Sequence, residues 1–248
     1  MQAEDATLEI GPGTIAYRLR RSRRRRRTLE VSVDATGLLS VAVPMRTTRA
    51  EIDAFLHGKR AWIRKQLEEH RNGARRLPER SFATGESLPY LGRHLLVDVV
   101  DASDAPRTAV RLAGERLELR VPAGLFGDER RSHISDALER WYMSRARATL
   151  LERVRYFAPQ VGAQPKRVVV KSQKTRWGSC GNDGTLRFNW CLVMAPLPVI
   201  DYIAVHELCH LRRPGHSKAF WQLVATVLPD YQLRKAELRR EGWSYRLQ

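Results

Sequence analysis

Cysteine is scarce in this chain. Cys180, Cys191 and Cys209 are the three that occur in 248 residues, and none stands in a C-x-x-C pair. So sparse and odd a set argues against a disulfide framework and for a reducing compartment. Long apolar runs are missing as well. No stretch approaches the roughly 20 apolar residues of a membrane span, and the opening MQAEDATLEIGPG lacks the basic-then-apolar pattern of a signal peptide. These absences predict a soluble, cytoplasmic protein. There is also no G-x-x-x-x-G-K-[ST] loop to cradle phosphates, and no carboxylate cluster with obvious Mg²⁺ spacing.

Acidic residues are the other shortage: 27 Asp and Glu face 44 Lys and Arg, a net charge of +17. Such an excess favours acidic partners, among them nucleic acid, nucleotides and anionic surfaces. The densest basic stretch is RLRRSRRRRRT, residues 18 to 28, where Arg23, Arg24, Arg25, Arg26 and Arg27 are candidates for binding a polyanion. The neighbouring segments IAYRLR and TLEVSVDATGLLSVAVP alternate like β-strands, so the same arginines also read as a solvated strand end or hairpin. Arg outnumbers Lys along the whole chain, which weakens any local reading of the charge.

The strongest chemical signal is VHELCHLRRPGH. His206 and His210 stand four residues apart, a little over one helical turn, so both imidazoles project from one face and can share a divalent metal. Glu207 is rotated by one position, too far round to be the natural third ligand but placed to take a proton from water at the metal; this is the content of H-E-x-x-H. Pro196 and Pro198 suit the start of a helix. Val199, Ile203, Ala204, Leu208 and Leu211 supply its apolar side. Arg213, Pro214 and Gly215 then end the helix and turn the chain, which brings His216 in from a new direction as a third ligand. Three protein ligands with one position open is the arrangement of a catalytic zinc site. Nickel, cobalt or copper would also accept three imidazoles.

Around this motif the chain resembles the YgjP-like metallopeptidases, zincins related more distantly to the SprT-like proteases. The resemblance is carried by KTRWGSCGNDGTLRFNW (174–190), DYIAVHELCH, HSKAFW and PDY (229–231), and covers residues 166 to 238 closely. Towards the N-terminus it is looser, resting on an Arg-rich strand start, a Trp62-bearing helix and YLGRHL (90–95). It implies a zinc-dependent hydrolase of peptides or proteins with His206, His210 and His216 as ligands and Glu207 as the catalytic base. A UTP pyrophosphatase label also found in the family implies nucleotide hydrolysis as the runner-up. A third reading rests on the basic surface, a nucleic-acid-associated protein, and the SprT likeness implies that this could be combined with proteolysis. The ligand spacing partly matches the metzincin string H-E-x-x-H-x-x-G-x-x-H, but Arg213 occupies the glycine position and no convincing Met-turn follows.

The expected fold class is α+β: a β-rich N-terminal unit over 1–125, then a zincin-like domain over 126–248 with a small sheet and the H-E-x-x-H helix. In the first unit one amphipathic helix is expected from Arg49 to His70 with Trp62 in the core, followed by strands over 88–100, 109–112 and 115–121. In the second, a long helix over 129–158 leads to a strand at 167–172. Gly178, Gly181, Asn182, Asp183 and Gly184 then mark a turn-rich hairpin within 167–190. By the zincin resemblance this hairpin borders the cleft, where an extended peptide pairs with it. Arg176, Trp177 and Asn189 are the candidates there for substrate contact or transition-state stabilisation. Ser217 is a candidate helix N-cap.

Overall fold

The computed structural model describes residues 2–10, 13–23, 25–33, 37–71, 80–173 and 175–247. The chain has the expected α+β character, with small mixed sheets and helices. It divides into two compact units, Met1–Pro78 and Glu79–Gln248.

Four strands build the first unit: β1 (Gln2–Ile10), β2 (Gly13–Ser22), β3 (Glu30–Val33) and β4 (Leu39–Pro44), in the order β1-β2-β4-β3. The central pair β2 and β4 is parallel and the flanking pairs are antiparallel. Along β4 the residues Leu39, Val41 and Val43 face inward, as alternation requires. They meet Tyr17 and Leu19 of β2 and the helical residues Ile52, Leu56 and Ile63 in one core. The expected single helix is interrupted at Lys59, giving α1 (Arg49–Gly58) and α2 (Arg60–Arg71). Thr48 and Glu51 close a reciprocal capping box at the start of α1. Trp62 is not a core residue. It is 41% exposed while its neighbour Ile63 is fully buried, because consecutive helical residues point about 100° apart.

The expected boundary near 125 is displaced to 78/79 because strands assigned to the N-terminal unit share the core of the second. These strands are β5 (Ser87–Tyr90), β6 (Arg93–Ala102), β7 (Ala109–Ala113) and β8 (Arg116–Pro122), ordered β5-β6-β8-β7. Leu88, Leu95, Val97, Leu117 and Leu119 bury against Ile134, Leu138, Trp141 and Tyr142 of the 35-residue helix α3 (Gly127–Val161). The predicted strand 88–100 is split by a tight turn at Leu91 and Gly92, both at positive φ, the geometry of a two-residue hairpin. A Cβ on Gly92 would stand 2.9 Å from the Pro196 Cα, so this turn fits directly against the entry to the H-E-x-x-H helix.

After α3, which ends on the left-handed Gly162, come β9 (Arg167–Lys171), β10 (Gly178–Cys180) and β11 (Thr185–Asn189). Only β10 and β11 form the expected hairpin. β9 pairs with β11 in parallel, giving a three-stranded sheet ordered β10-β11-β9 with β10 at its edge. A 3₁₀ turn (Trp190–Met194) leads to α4 (Leu197–His210), followed by α5 (Lys218–Val227) and α6 (Tyr231–Glu241). α4 is apolar on nearly every side and correspondingly buried. Its polar residue Asp201 is held by a two-pronged ion pair with Arg153 of α3, at 2.6 and 3.1 Å, which fixes the rotation of α4 against α3. The tail, from which the sequence offered no reading, contributes buried Tyr245 and Leu247 to the same core.

Candidate metal centre

α4 carries His206 and His210 one turn apart, and its C-terminus gives way to a turn through Gly215, whose φ is +78°. The chain there reverses as the Arg-Pro-Gly sequence anticipates and returns His216 to the first two histidines. Ser217 caps α5 by accepting from the Phe220 amide. The Nε2 atoms of His210 and His216 lie 3.2 and 3.1 Å from Nε2 of His206. Three nitrogens at about 2.0–2.1 Å from a tetrahedral zinc stand about 3.4 Å apart, so this donor set fits such an ion with small adjustment. Among the described residues no other group of His, Cys, Asp or Glu converges in this way.

Burial, reinforced by the neighbouring imidazoles, holds His206 down to about 3 and lowers His210 as well. Both rings are thereby kept neutral, the form that ligates a metal. His206 Nδ1 is buried and makes no hydrogen bond among the described residues. The three histidines are braced by aromatic rings: Phe220 stacks on His210 at 4.5 Å, and Trp221 stacks on His216 at 5.6 Å and on Tyr231 at 5.4 Å. Trp221 and Tyr231 are thus packing residues, as their type suggests, but what they pack is the third histidine.

Glu207 is buried, and desolvation pushes its carboxyl up to about 7 against the opposing pull of Arg176. It lies under the start of β10: a Cβ on Gly178 would come within 2.6 Å of its Oε1 and 2.7 Å of its Cγ. Gly178 reads in the sequence as turn chemistry, whereas here it stands in a strand and leaves the space that the glutamate fills. No feature of the sequence announces that contact.

The remaining candidates separate. Arg176 is exposed and within electrostatic reach of Glu207. Trp177 packs edge-on against Tyr245 at 6.2 Å. Asn189 is buried, and its amide is engaged by backbone: Nδ2 donates to the carbonyls of Gln173 at 2.8 Å and Arg176 at 3.4 Å, while Oδ1 accepts from the Cys191 amide. These bonds tie it to the backbone on either side of the position that carries Arg176. Cys209 is fully buried within α4. The basic run belongs to the first unit. There Arg23, Arg26 and Arg27 are exposed and Arg25 pairs with Glu30, while Arg24 lies outside the described residues.

Three convergent histidines beside a buried glutamate on an α+β scaffold are the equipment of a metal-dependent hydrolase. The family model for the YgjP-like metallopeptidase domain matches residues 27–241, and the chain belongs to that family. Among curated proteins, the UTP pyrophosphatase of Escherichia coli (strain K12) is 42% identical over 45 residues, which cover 18% of this chain and 27% of that relative. Among solved structures, the metallopeptidase zymogen of Pyrococcus abyssi abylysin aligns at 23% identity with a TM-score of 0.34, over 38% of this chain and 92% of that one. No helix among the described residues is long and apolar enough to cross a membrane.

Proposed function

We propose that this protein is a zinc peptidase in which His206, His210 and His216 hold the ion and Glu207 is the general base. The observation that carries this reading is the pairing of three convergent imidazoles with a buried carboxylate one residue from the first of them. Zinc bound there supplies a Lewis acid that polarises the scissile carbonyl and acidifies water. Glu207, poised near neutrality, takes the proton of the attacking water on a carboxylate oxygen and returns it to the leaving amine nitrogen as the C–N bond breaks. The free edge of β10 offers backbone donors and acceptors to an extended substrate, which fits a peptide lying across Glu207. Arg176, whose charge acts on Glu207, is the candidate to stabilise charge that develops at the reacting carbonyl.

The short match to a UTP pyrophosphatase supports a second reading, in which the same site hydrolyses a nucleoside triphosphate. One experiment separates the two. Protein purified without a metal-affinity tag is expected to contain about one zinc per chain by mass spectrometry, lost in His206→Ala and in His216→Ala. The loaded wild type is then assayed on peptides and on UTP. Glu207→Gln is expected to keep the zinc and lose peptide turnover by roughly 10²–10⁴-fold. UTP hydrolysis with peptides untouched would transfer the function to phosphoanhydrides, and metal-free wild type after zinc is supplied would remove the site altogether.

A further inference from the structure

The charge around the metal centre is unevenly matched. Asp201 is held by Arg153, with Arg234 at 3.8 Å. Asp230 is held by Arg234, whose Nη1 also donates to the Pro198 carbonyl, and Glu241 by Arg240. Lys235 and Arg239 stand one turn apart on α6, on one face, and neither pairs with a carboxylate among the described residues. Lys235 is half-buried, with its Nζ 3.9 Å from the centre of the Trp221 ring. That ring lies 5.7 Å from His206 and 5.6 Å from His216. The ammonium is therefore at most about 10 Å from the first ligand's ring, and its charge is felt there, contributing to the lowered pKa of His206.

Lys235 is a partly buried cation beside a second cation, offset by the Trp221 ring but paired with no carboxylate among the described residues. Desolvation and Arg239 both disfavour the charged form of Lys235. The arrangement becomes favourable when an anion arrives with the substrate. An extended peptide advances about 3.3 Å per residue, so a side chain one or two positions from the scissile bond spans the distance from the metal to Lys235. A polyphosphate suits the arrangement less well, since the described residues offer no second convergent set of metal ligands to accompany it.

We infer that Lys235, assisted by Arg239, receives the carboxylate of an Asp or Glu side chain of the substrate, and that this protein selects acidic peptides at a position adjoining the cleaved bond. The inference rests on the peptidase reading above and names its substrate class.

The test uses fluorogenic peptides of one sequence that differ at a single position carrying Asp, Asn or Lys, scanned over the two residues on each side of the scissile bond. At one of these positions the zinc-loaded wild type is expected to favour Asp over Asn by about tenfold, mainly in KM, as one charge-assisted hydrogen bond would give. Lys235→Met is expected to bring the two peptides to near parity, and Lys235→Glu to invert the order in favour of Lys. Binding of the same peptides to Glu207→Gln protein, followed by calorimetry, should repeat that order without turnover. An unchanged preference in both Lys235 variants would overturn the inference, as would a wild type indifferent to peptide charge. Should no peptide be cleaved at all, the peptidase reading fails by itself. The calorimetric arm then still decides on Lys235, according to whether acidic-peptide binding is lost or retained in Lys235→Met. Displacement of the acidic peptide by UTP at a lower concentration than by unlabelled peptide would assign the cation to a phosphate and also overturn the inference.

Discussion

The two units contain the same sheet. In each, four strands run in the spatial order first, second, fourth, third, with a parallel pair at the centre and antiparallel pairs outside. The fourth strand of each carries the same pattern, LSVAVP in the first unit and LELRVP in the second, with every other residue buried and a proline at the end. What differs is the sequel. After β4 come two helices of 10 and 12 residues, enough to cover one face of a sheet. After β8 comes a helix of 35, long enough to reach from that sheet to β9 and to α4. The second unit accordingly buries a much larger continuous core. Its chemistry depends on that depth: His206 and Glu207 have displaced pKa values because water is excluded from them. A sheet of this kind is a platform, and the site arises from what is built onto it.

Gly178→Ala offers the sharpest way to break the comparison, because it strikes the three-stranded sheet β10-β11-β9, which has no counterpart among the described residues of the first unit. The new methyl group meets the carboxylate of Glu207 well inside contact distance, so either Glu207 or β10 must move. A displacement near 1 Å at a catalytic group lowers turnover by about 10²-fold. Zinc content is expected to stay at the wild-type level, since the three imidazoles are untouched. Wild-type turnover in the alanine variant would show that the proximity of β10 and Glu207 is incidental.

A smaller effect is expected in the first unit, and on stability instead of chemistry. Ile63→Ala removes a fully buried side chain and is expected to lower the unfolding free energy by about 2–4 kcal/mol. Trp62→Ala, although it deletes more atoms, is expected to change it by less, about 1 kcal/mol, because Trp62 is already 41% exposed and lies outside the core. Denaturant unfolding followed by circular dichroism reads both. A larger loss for Trp62→Ala would restore the indole to a buried role.

This pair of neighbours also marks where sequence reading runs out. The periodicity of Ile52, Phe55, Leu56, Trp62, Ile63 and Leu67 is enough to predict a helix, but several phases of a 3.6-residue repeat fit it, and only the sheet beneath decides which residues face inward. The repeat of Leu-x-Val-x-Val-Pro and Leu-x-Leu-x-Val-Pro was legible, and with it a boundary nearer 78 than 125; reading the strands one at a time hides it. The convergence of His206, His210 and His216 was legible because helical spacing and a Pro-Gly turn are local. The approach of Glu207 to Gly178 and the position of Lys235 over Trp221 were not, because each joins separate elements of the chain; the bracing of His216 by Trp221, only five residues on, depends on the direction in which the turn enters α5. Asn189 eludes the sequence for a related reason. An asparagine near a cleft invites a substrate, and its backbone partners, the carbonyls of Gln173 and Arg176, become visible only in the folded chain.

The smallest effect is expected from the most conspicuous feature of the sequence. The arginines of the first unit are partly balanced by their own neighbours: Arg18 lies 3.5 Å from Asp5, Arg21 lies 3.9 Å from Glu4, and Arg25 pairs with Glu30. Arg21 also donates to the carbonyls of Met45 and Thr47, which assigns it to holding the end of β4. Exposed pairs of this kind contribute little to stability, but they reduce the local field that a polyanion would meet. Replacing Arg23, Arg26 and Arg27 together by Gln is therefore expected to leave peptide turnover within about twofold and to change duplex-DNA binding only through net charge. The discriminating quantity is the slope of log affinity against log salt, which changes by about 0.9 for each phosphate that is no longer neutralised. A slope that shifts by less than about one would make these arginines a solvated strand end. A shift approaching three would make the first unit a nucleic-acid platform, and the two sheets would then differ in partner as well as in depth.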